Sequence, residues 1–233
     1  MRQVGGIKVM AAISSYINAL YIVMYNRTAD SDGYNYWSSP AQTGALLPAA
    51  PVTDALAVSM ASSFKAAQST YFDAQYAALS DTYYILKLYQ NLGGNTAGVG
   101  GDALNYWQGQ LDKFSGDRAK LAGEFTKTFL DYNGADVAGL ARKAVFDNKV
   151  SVSLAWVDAS KTNSFMNAVT TTDAAYAAQT RIIDGVTGTS STLDLALAQV
   201  TQVVSTSNLA AATGVTTVGG VLPASTNVSD LWL

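Results

Sequence analysis

Leu20-Tyr21 followed by Asn35-Tyr36-Trp37 in the first third of the chain returns as Leu88-Tyr89 followed by Asn105-Tyr106-Trp107. Between these anchors each copy carries a polar turn that contains glycine. An internal repeat of this kind indicates a duplicated packing unit. In each copy the apolar spacing predicts a helix, a tight turn, a second helix that ends on tryptophan, and a third helix. A duplicated scaffold favours binding or assembly over catalysis.

The rest of the chain also has apolar residues at helical spacing, so we predict an all-α fold of tandem helical repeats. We expect a first helical repeat over 12–69, a second over 70–133, and a helical extension over 134–205. Within the extension, the pattern predicts one helix over 133–148 and another through 152–157. The segment 206–233 is rich in Ser, Thr, Gly and Val, and it predicts a loosely structured tail, either a loop or a short strand pair.

The composition argues against most enzyme classes that a sequence can reveal. The 233 residues are enough to bury a core, but they include no Cys and no His. Zinc sites of the usual ligand types, thiol nucleophiles and Ser-His-Asp relays are therefore excluded. Glu124 is the only glutamate, and its spacing from Lys120 and Lys127 predicts an ion pair on a helix surface. We therefore expect a protein that is not an enzyme and that needs no cofactor.

Charge argues against nucleic acid as a partner, and hydropathy argues against a transmembrane helix. The net charge is -3 and the 14 Lys and Arg residues are scattered, so the chain offers no basic surface for nucleic acid. No apolar run reaches the roughly 18 residues that a transmembrane helix needs. The best candidate, 4–24, is interrupted by Lys8 and Asn18, and it is also a poor cleavable signal peptide.

The turn of the first repeat is the best candidate for a ligand site. Sugars present hydroxyls that pair with carboxylate, amide and guanidinium groups, and a ring face that stacks on an aromatic side chain. The first turn combines all of these groups, and the candidate ligand-binding residues are Arg27, Asp30, Asp32, Tyr34, Asn35 and Tyr36. The alternative is that Arg27 and Asp30 simply pair to hold the turn, and for those two side chains we favour it.

The same turn also raises the possibility of calcium. Asp30 and Asp32 precede a turn glycine, and closely spaced carboxylates of this kind can surround a hard cation. However, Tyr34 and Ala41 stand where a calcium-binding loop would need further oxygen ligands. We therefore favour a role in capping the next helix, because aspartate readily accepts backbone N–H bonds there. Asp30 and Asp32 are the candidate ligands for a calcium ion.

The aromatic residues of the two repeats are expected to divide between core and surface. Trp37 and Trp107 stand at equivalent positions, and we predict that both are buried, because large aromatic side chains dominate burial in small helical units. The neighbouring tyrosines Tyr34, Tyr36 and Tyr106 are better candidates for the surface.

The first repeat resembles a small helical domain of unknown function that is found in bacterial surface proteins. The resemblance is carried by the Leu20-Tyr21 pair, Arg27, Asp30, Gly33, the Tyr36-Trp37 pair and Phe64. The second copy departs from it, because Gly94 or Asn95 replaces the arginine and Gly98 replaces the aspartate. The stretches 141–156 and 186–204 are similar to the region on the C-terminal side of this domain in such proteins.

Taken together, residues 12–204 resemble the N-terminal anchoring module of type I-secreted bacterial S-layer proteins. The resemblance implies an exported protein on the extracellular surface of a Gram-negative bacterium, which binds lipopolysaccharide or other surface polysaccharide. Self-assembly into a homo-oligomer is part of this expectation. The ending Asp230-Leu231-Trp232-Leu233 resembles an uncleaved type I secretion signal. A linker subunit that joins protein partners and a secreted glycan-active enzyme are the alternatives.

Overall fold

The computed structural model describes residues 11–93, 96, 98–168, 170 and 173–215, and over these residues the protein is all-α and contains no strand. Its α-helices are α1 (Ile13–Tyr25), α2 (Ser31–Trp37), α3 (Pro40–Thr43), α4 (Asp54–Ala67), α5 (Ser69–Tyr76), α6 (Asp81–Gly93), α7 (Gly101–Lys113), α8 (Arg118–Leu130), α9 (Val137–Ser160), α10 (Ala174–Arg181) and α11 (Ser190–Thr206). Short 3-10 helices cover Ser164–Met166 and Leu209–Ala211. In this part of the chain, no helix has both the length and the apolar character needed to cross a bilayer.

The predicted repeat is visible in three dimensions, since α1, α2 and α4 correspond to α6, α7 and α8. Each copy builds the same aromatic cluster, which consists of Tyr21, Trp37 and Phe64 in the first copy and Tyr89, Trp107 and Phe129 in the second. The tryptophan ring stacks on the phenylalanine ring in both, with centroids 4.1 Å and 6.5 Å apart. The tyrosine meets the same phenylalanine edge-on. Both tryptophans are buried, which confirms the prediction.

The two copies pack against each other through equivalent helices, α1 on α6 and α4 on α8. At the α4–α8 contact the helices approach closely, because a Cβ atom at Gly123 would lie 2.6 Å from the carbonyl oxygen of Ala57. The hydroxyl of Tyr16 reaches between them and donates to the carbonyls of Ala57 at 2.8 Å and Gly123 at 3.2 Å. The repeats therefore share one hydrophobic core.

The extension packs on this pair of repeats through α9, which contacts α1, α6, α8 and α11. The prediction of two separate helices here was wrong, because α9 runs without a break for 24 residues. Asp136 caps its start by accepting from the backbone N–H of Gly139 at 2.6 Å. Burial of Phe146, Val150 and Trp156 continues across the expected boundary, so packing holds the middle of the helix together.

The first part of the predicted tail is tied to the body by hydrogen bonds. Arg181 Nε donates to the carbonyl of Ala212 at 2.7 Å, and Gln199 Nε2 donates to that of Gly214 at 2.8 Å. The backbone N–H of Val215 donates to the carbonyl of Asp184 at 2.8 Å. The remainder, 216–233, which holds most of the predicted strand pair and the predicted secretion signal, lies outside the described residues.

Candidate ligand-binding site

The predicted turn joins α1 to α2, and Asp30 fixes its geometry. The Asp30 side chain caps α2 by accepting from the backbone N–H of Gly33 at 2.8 Å, as the capping interpretation predicted. Position 33 has no room for a side chain, because a Cβ atom there would lie 2.1 Å from the hydroxyl of Tyr21. The turn therefore needs both an aspartate and a glycine at these positions.

Arg27 and Asp30 lie inside the protein, with only 3% and 2% of their surface exposed. Arg27 Nη1 donates to the carbonyl of Thr28 at 3.2 Å, to Asp30 Oδ2 at 3.4 Å and to Gln179 Oε1. Gln179 Nε2 in turn donates to Asp30 Oδ2 at 3.1 Å. The pairing of Arg27 with Asp30 is thus confirmed, and it joins the turn of the first repeat to α10.

Of the two predicted calcium ligands, Asp30 is engaged in hydrogen bonds within the protein. Both carboxylate oxygens of Asp30 accept N–H donors, one from Gly33 and the other from Gln179 and Ala168. Asp32 is exposed in the first turn of α2. Among the described residues, no three acidic side chains lie close enough together to hold a metal ion. Calcium binding therefore stays a prediction.

Two aromatic rings enclose the Arg27 guanidinium. Its central carbon lies 4.5 Å from the ring centroid of Tyr21 and 4.9 Å from that of Tyr176, which are cation–π distances. Burial raises the pKa of Tyr21 to about 12, and the charge of Arg27 opposes this shift. Sequence reasoning missed Tyr176 and Gln179, because nothing local to α10 indicates a contact with a turn about 150 residues earlier.

The second repeat lacks the arginine, but α9 supplies one in its place. The guanidinium of Arg142 lies 5.6 Å from the ring centroid of Tyr89, which corresponds to Tyr21. Its Nη2 atom is also 3.7 Å from the position that a Cβ of Gly98 would occupy. A distant helix therefore brings an arginine to the tyrosine ring of the second copy.

The other predicted ligand residues lie on the outside of α2. Asp32, Asn35 and Tyr36 are exposed, and we call this set the α2 face. Tyr36 is 56% exposed, and its ring rests edge-on against Trp37 with centroids 4.8 Å apart. Tyr34 is half-buried and packs against the core, and burial raises its pKa. The six predicted residues thus divide into a buried pair, a half-buried tyrosine and an exposed trio.

The same three residue types are exposed on α7. Asp102, Asn105 and Tyr106 are exposed at equivalent positions, and we call this set the α7 face. Tyr106 is 51% exposed, and its ring meets Trp107 edge-on with centroids 5.0 Å apart. The prediction placed binding on the first repeat alone, whereas the exposed part of that site is present in both copies.

The expected ion pair of Glu124 is not formed, and that prediction was wrong. Lys120 pairs with Asp117 at 3.6 Å, and Lys127 pairs with Asp131 at 2.8 Å and with Asp54 at 2.9 Å. Asp117 and Asp131 are the N-cap and C-cap of α8 itself, and Asp54 lies in the first turn of α4, so all three stand within reach of these lysines. Glu124 is half-buried on α8, and burial raises its pKa.

Each face combines a carboxylate, an amide and an aromatic ring on one exposed helix surface. Sugar hydroxyls can pair with the first two groups, and the apolar face of a sugar ring can stack on the third. The buried tryptophan behind each tyrosine supports the exposed ring. Comparison of the chain with models of protein families, with curated proteins and with solved structures finds no match.

Proposed function

We propose that this protein is a non-enzymatic, exported attachment protein of S-layer type, which binds lipopolysaccharide or other surface polysaccharide outside a Gram-negative cell. The observation that carries the proposal is the duplication of one exposed trio on the α2 face and the α7 face. Polysaccharides are repeating polymers, so they present the same sugar group more than once along a chain. A scaffold with two equivalent faces suits such a ligand.

Two weak contacts on one scaffold can produce useful affinity. Once one face holds the polymer, the second contact is intramolecular, and linked sites of this kind gain roughly 10²- to 10⁴-fold in affinity. The two tyrosine rings are already held against Trp37 and Trp107, so little conformational freedom is lost when a sugar stacks on them. The resemblance of the first repeat to bacterial surface proteins supports the same function.

Calorimetric titration with the polysaccharide part of purified lipopolysaccharide tests the proposal. We expect Asn35→Ala with Tyr36→Ala to weaken binding, and Asn105→Ala with Tyr106→Ala to do the same. The combination of all four changes should abolish measurable binding. These side chains are exposed, so the melting temperature should stay within about 2 °C of the wild type. Tyr34 is unsuitable for this test because it packs against the core.

Tyr83→Ala is the matched control, because Tyr83 is a partly exposed tyrosine, 37% accessible, that lies on α6 and belongs to neither face. Its affinity for the polysaccharide should equal that of the wild type. The proposed function fails if the fourfold variant binds as tightly as the wild type, or if the wild type binds no surface polysaccharide.

Exposed aliphatic side chains support the self-assembly part of the proposal. Leu47 is 74% exposed, Val137 is 81% exposed and Leu140 is 46% exposed. The same side chains would serve the rival function, in which the protein is a linker between other proteins. Sedimentation velocity over a range of concentrations distinguishes a homo-oligomer from a monomer, and Leu47→Ser with Val137→Ser should shift a homo-oligomer toward the monomer.

A further inference from the structure

The connection between α2 and α4 is longer than its counterpart in the second repeat. It covers residues 38–53, whereas residues 114–117 join α7 to α8. Part of the difference arises because α2 ends at Trp37, while α7 continues past Trp107 to Lys113. The second copy forms its three helices without the longer connection, so the fold does not require all of it. Loops of this kind commonly carry binding functions.

This connection presents two neighbouring leucines to solvent, and we call Leu46 and Leu47 the tip. Leu46 is 42% exposed, Leu47 is 74% exposed, and all residues over 44–49 are exposed. No Asp, Glu, Lys or Arg occurs over 33–53. The tip can therefore enter an apolar depression without carrying a charge into it.

The tip is held in place by hydrogen bonds within its own loop. The Thr43 hydroxyl donates to the carbonyl of Leu46 at 3.2 Å. The backbone N–H of Ala50 donates to the carbonyl of Leu47 at 2.8 Å. Ala45 has a φ of 65°, which is uncommon for a residue other than glycine. A surface whose shape is fixed in advance loses little conformational freedom on binding.

A cleft of about 550 Å³ lies at the opposite end of α1 from the tip. On the tip side, the carbonyl of Pro48 accepts from the backbone N–H of Ser14 in the first turn of α1. On the other side, the ring of Tyr71 lines the cleft and lies 5.6 Å from that of Tyr25, the last residue of α1. A helix of 13 residues is about 20 Å long. The tip of a molecule is therefore too distant to fill the cleft of the same molecule.

The lining of the cleft suits an apolar side chain. Ala67, Ala74 and Ala168 contribute methyl groups, and Tyr71 contributes its ring. Among the described residues that line the cleft, Arg27 alone is charged, and it lies beneath the surface with 3% of its area exposed. The volume falls within the roughly 300–1,000 Å³ of pockets that hold small molecules, so the cleft has room for leucine side chains.

A second cleft, of about 420 Å³, is a poorer match for the tip. Four charged residues line it, namely Lys65, Asp73, Asp117 and Arg118. An apolar side chain placed there would displace water from these charges without pairing with them, which is unfavourable. Charge therefore favours the larger cleft.

We propose that the tip of one molecule binds in the 550 Å³ cleft of a second copy of this chain. The inference rests on the self-assembly part of the proposed function, and it names the interface. Tip and cleft are different surfaces at opposite ends of α1, so each copy can hold one neighbour at either end. A head-to-tail contact of this kind builds an open chain of molecules unless its rotation closes a ring.

The contact is small, so it is weak between free molecules. A stable interface buries about 800 Å² on each partner, from roughly 20–30 residues, whereas here two leucines enter one cleft. Copies that bind the same polysaccharide are held near one another, and the raised local concentration favours a contact that is weak in solution. We therefore expect assembly on the cell surface more than in dilute solution.

Sedimentation velocity of the full chain at rising concentration, up to roughly 1 mM, tests this interface. The wild type should associate reversibly. Leu46→Ser with Leu47→Ser removes the tip, and Ala74→Arg places a long charged side chain in the cleft, so each variant alone should be monomeric. All three positions are exposed, so the melting temperatures should stay close to that of the wild type.

A mixture of the two variants gives the sharpest result. The tip variant keeps its cleft and the cleft variant keeps its tip, so one productive contact is possible between them. The mixture should form one-to-one dimers that grow no further. An interface built from other residues would not be restored by mixing.

Leu195→Ser and Ala198→Arg are the matched controls, because both residues are exposed on α11 and neither belongs to the tip or the cleft. Each should associate as the wild type does. The inference is overturned if the wild type stays monomeric, if the tip variant or the cleft variant associates as the wild type does, or if their mixture stays monomeric. Polysaccharide binding at the α2 and α7 faces is measured separately, and Ala74→Arg should retain it. Failure of the interface is thus distinguishable from failure of polysaccharide attachment.

Discussion

Lys149 makes the stability of this protein depend on pH in a predictable direction. The residue lies in α9 with 5% of its surface exposed, and its Nζ donates to the carbonyl of Asn91 at 2.8 Å. Burial lowers its pKa from 10.5 to about 8, and the Asp184 carboxylate opposes this shift. The folded protein therefore holds a lysine that is charged only at a cost.

The sign of the effect is set by proton binding in the two states. Between pH 8 and 10.5 the unfolded chain keeps a proton on Lys149 that the folded protein has released, so the free energy of unfolding rises with pH. At about 1.4 kcal/mol for each pH unit, the full rise is about 3 kcal/mol. Below pH 8 both states are protonated and this group adds no pH dependence. Above about pH 10 buried tyrosines such as Tyr16 and Tyr84 reverse the trend, because burial raises their pKa.

Urea denaturation at intervals from pH 7 to pH 10 measures this effect. For the wild type we expect the free energy of unfolding to rise by about 2 kcal/mol from pH 8 to pH 10. Lys149→Met should be about 1–2 kcal/mol more stable at pH 7, because removing the charge outweighs the lost bond to Asn91, and its stability should not rise with pH. Lys143→Met on the same helix is the control, since Lys143 is half-exposed and pairs with Asp147. An equal rise in Lys149→Met, or a loss of stability at pH 7, would refute the reasoning.

Three further predictions test the packing of the repeats. Trp37→Ala and Trp107→Ala should each lower the free energy of unfolding by roughly 3–5 kcal/mol, and a wild type whose tryptophans are fully quenched by acrylamide would contradict their burial. Gly123→Ala should destabilise the protein by roughly 1–3 kcal/mol in thermal or urea unfolding, because its Cβ would overlap a backbone carbonyl of α4. Gly109→Ala is the control, since its Cβ would meet no atom within 4 Å, and it should stabilise the protein by roughly 0.5–1 kcal/mol. Similar shifts in both variants would argue against the close contact. Tyr16→Phe should cost roughly 0.5–1.5 kcal/mol by the same measurement, since it removes a buried hydroxyl that donates to the carbonyls of Ala57 and Gly123, and a neutral result would show that this hydrogen bond adds no net stability.

The helical repeat could be predicted from the sequence because its signals are local. Apolar residues spaced by three and four positions define the buried stripe of a helix wherever that helix packs, and α4 and α8 are the third helix that this spacing predicted in each copy. The Asp30 side chain caps α2 by a bond to a residue only three positions later, so this role could also be predicted from the sequence. The burial of Trp37 and Trp107 was predictable from their size and their equivalent places in the two copies.

Long-range partners could not be predicted, because contacts between distant segments leave no periodic trace. Gln179 binds Arg27 across 152 positions, and Arg142 lies near the Tyr89 ring of the second repeat, whose turn has no arginine in its sequence. The unbroken course of α9 has a similar cause. Its residues near 150 have only moderate helix propensity, and burial against α1, α6 and α8 holds them in the helix.

Composition and pattern in the sequence by themselves determined that this chain is helical, that it is duplicated, and that one turn concentrates polar and aromatic groups. They could not determine which of those groups faces water. That was decided by the packing of α10 against the turn, which encloses Arg27 and Asp30 in a hydrogen-bond network while Asn35 and Tyr36 remain on the outside of α2. The physical reason is that a side chain is buried by the segments that cover it, and those segments can come from anywhere in the chain.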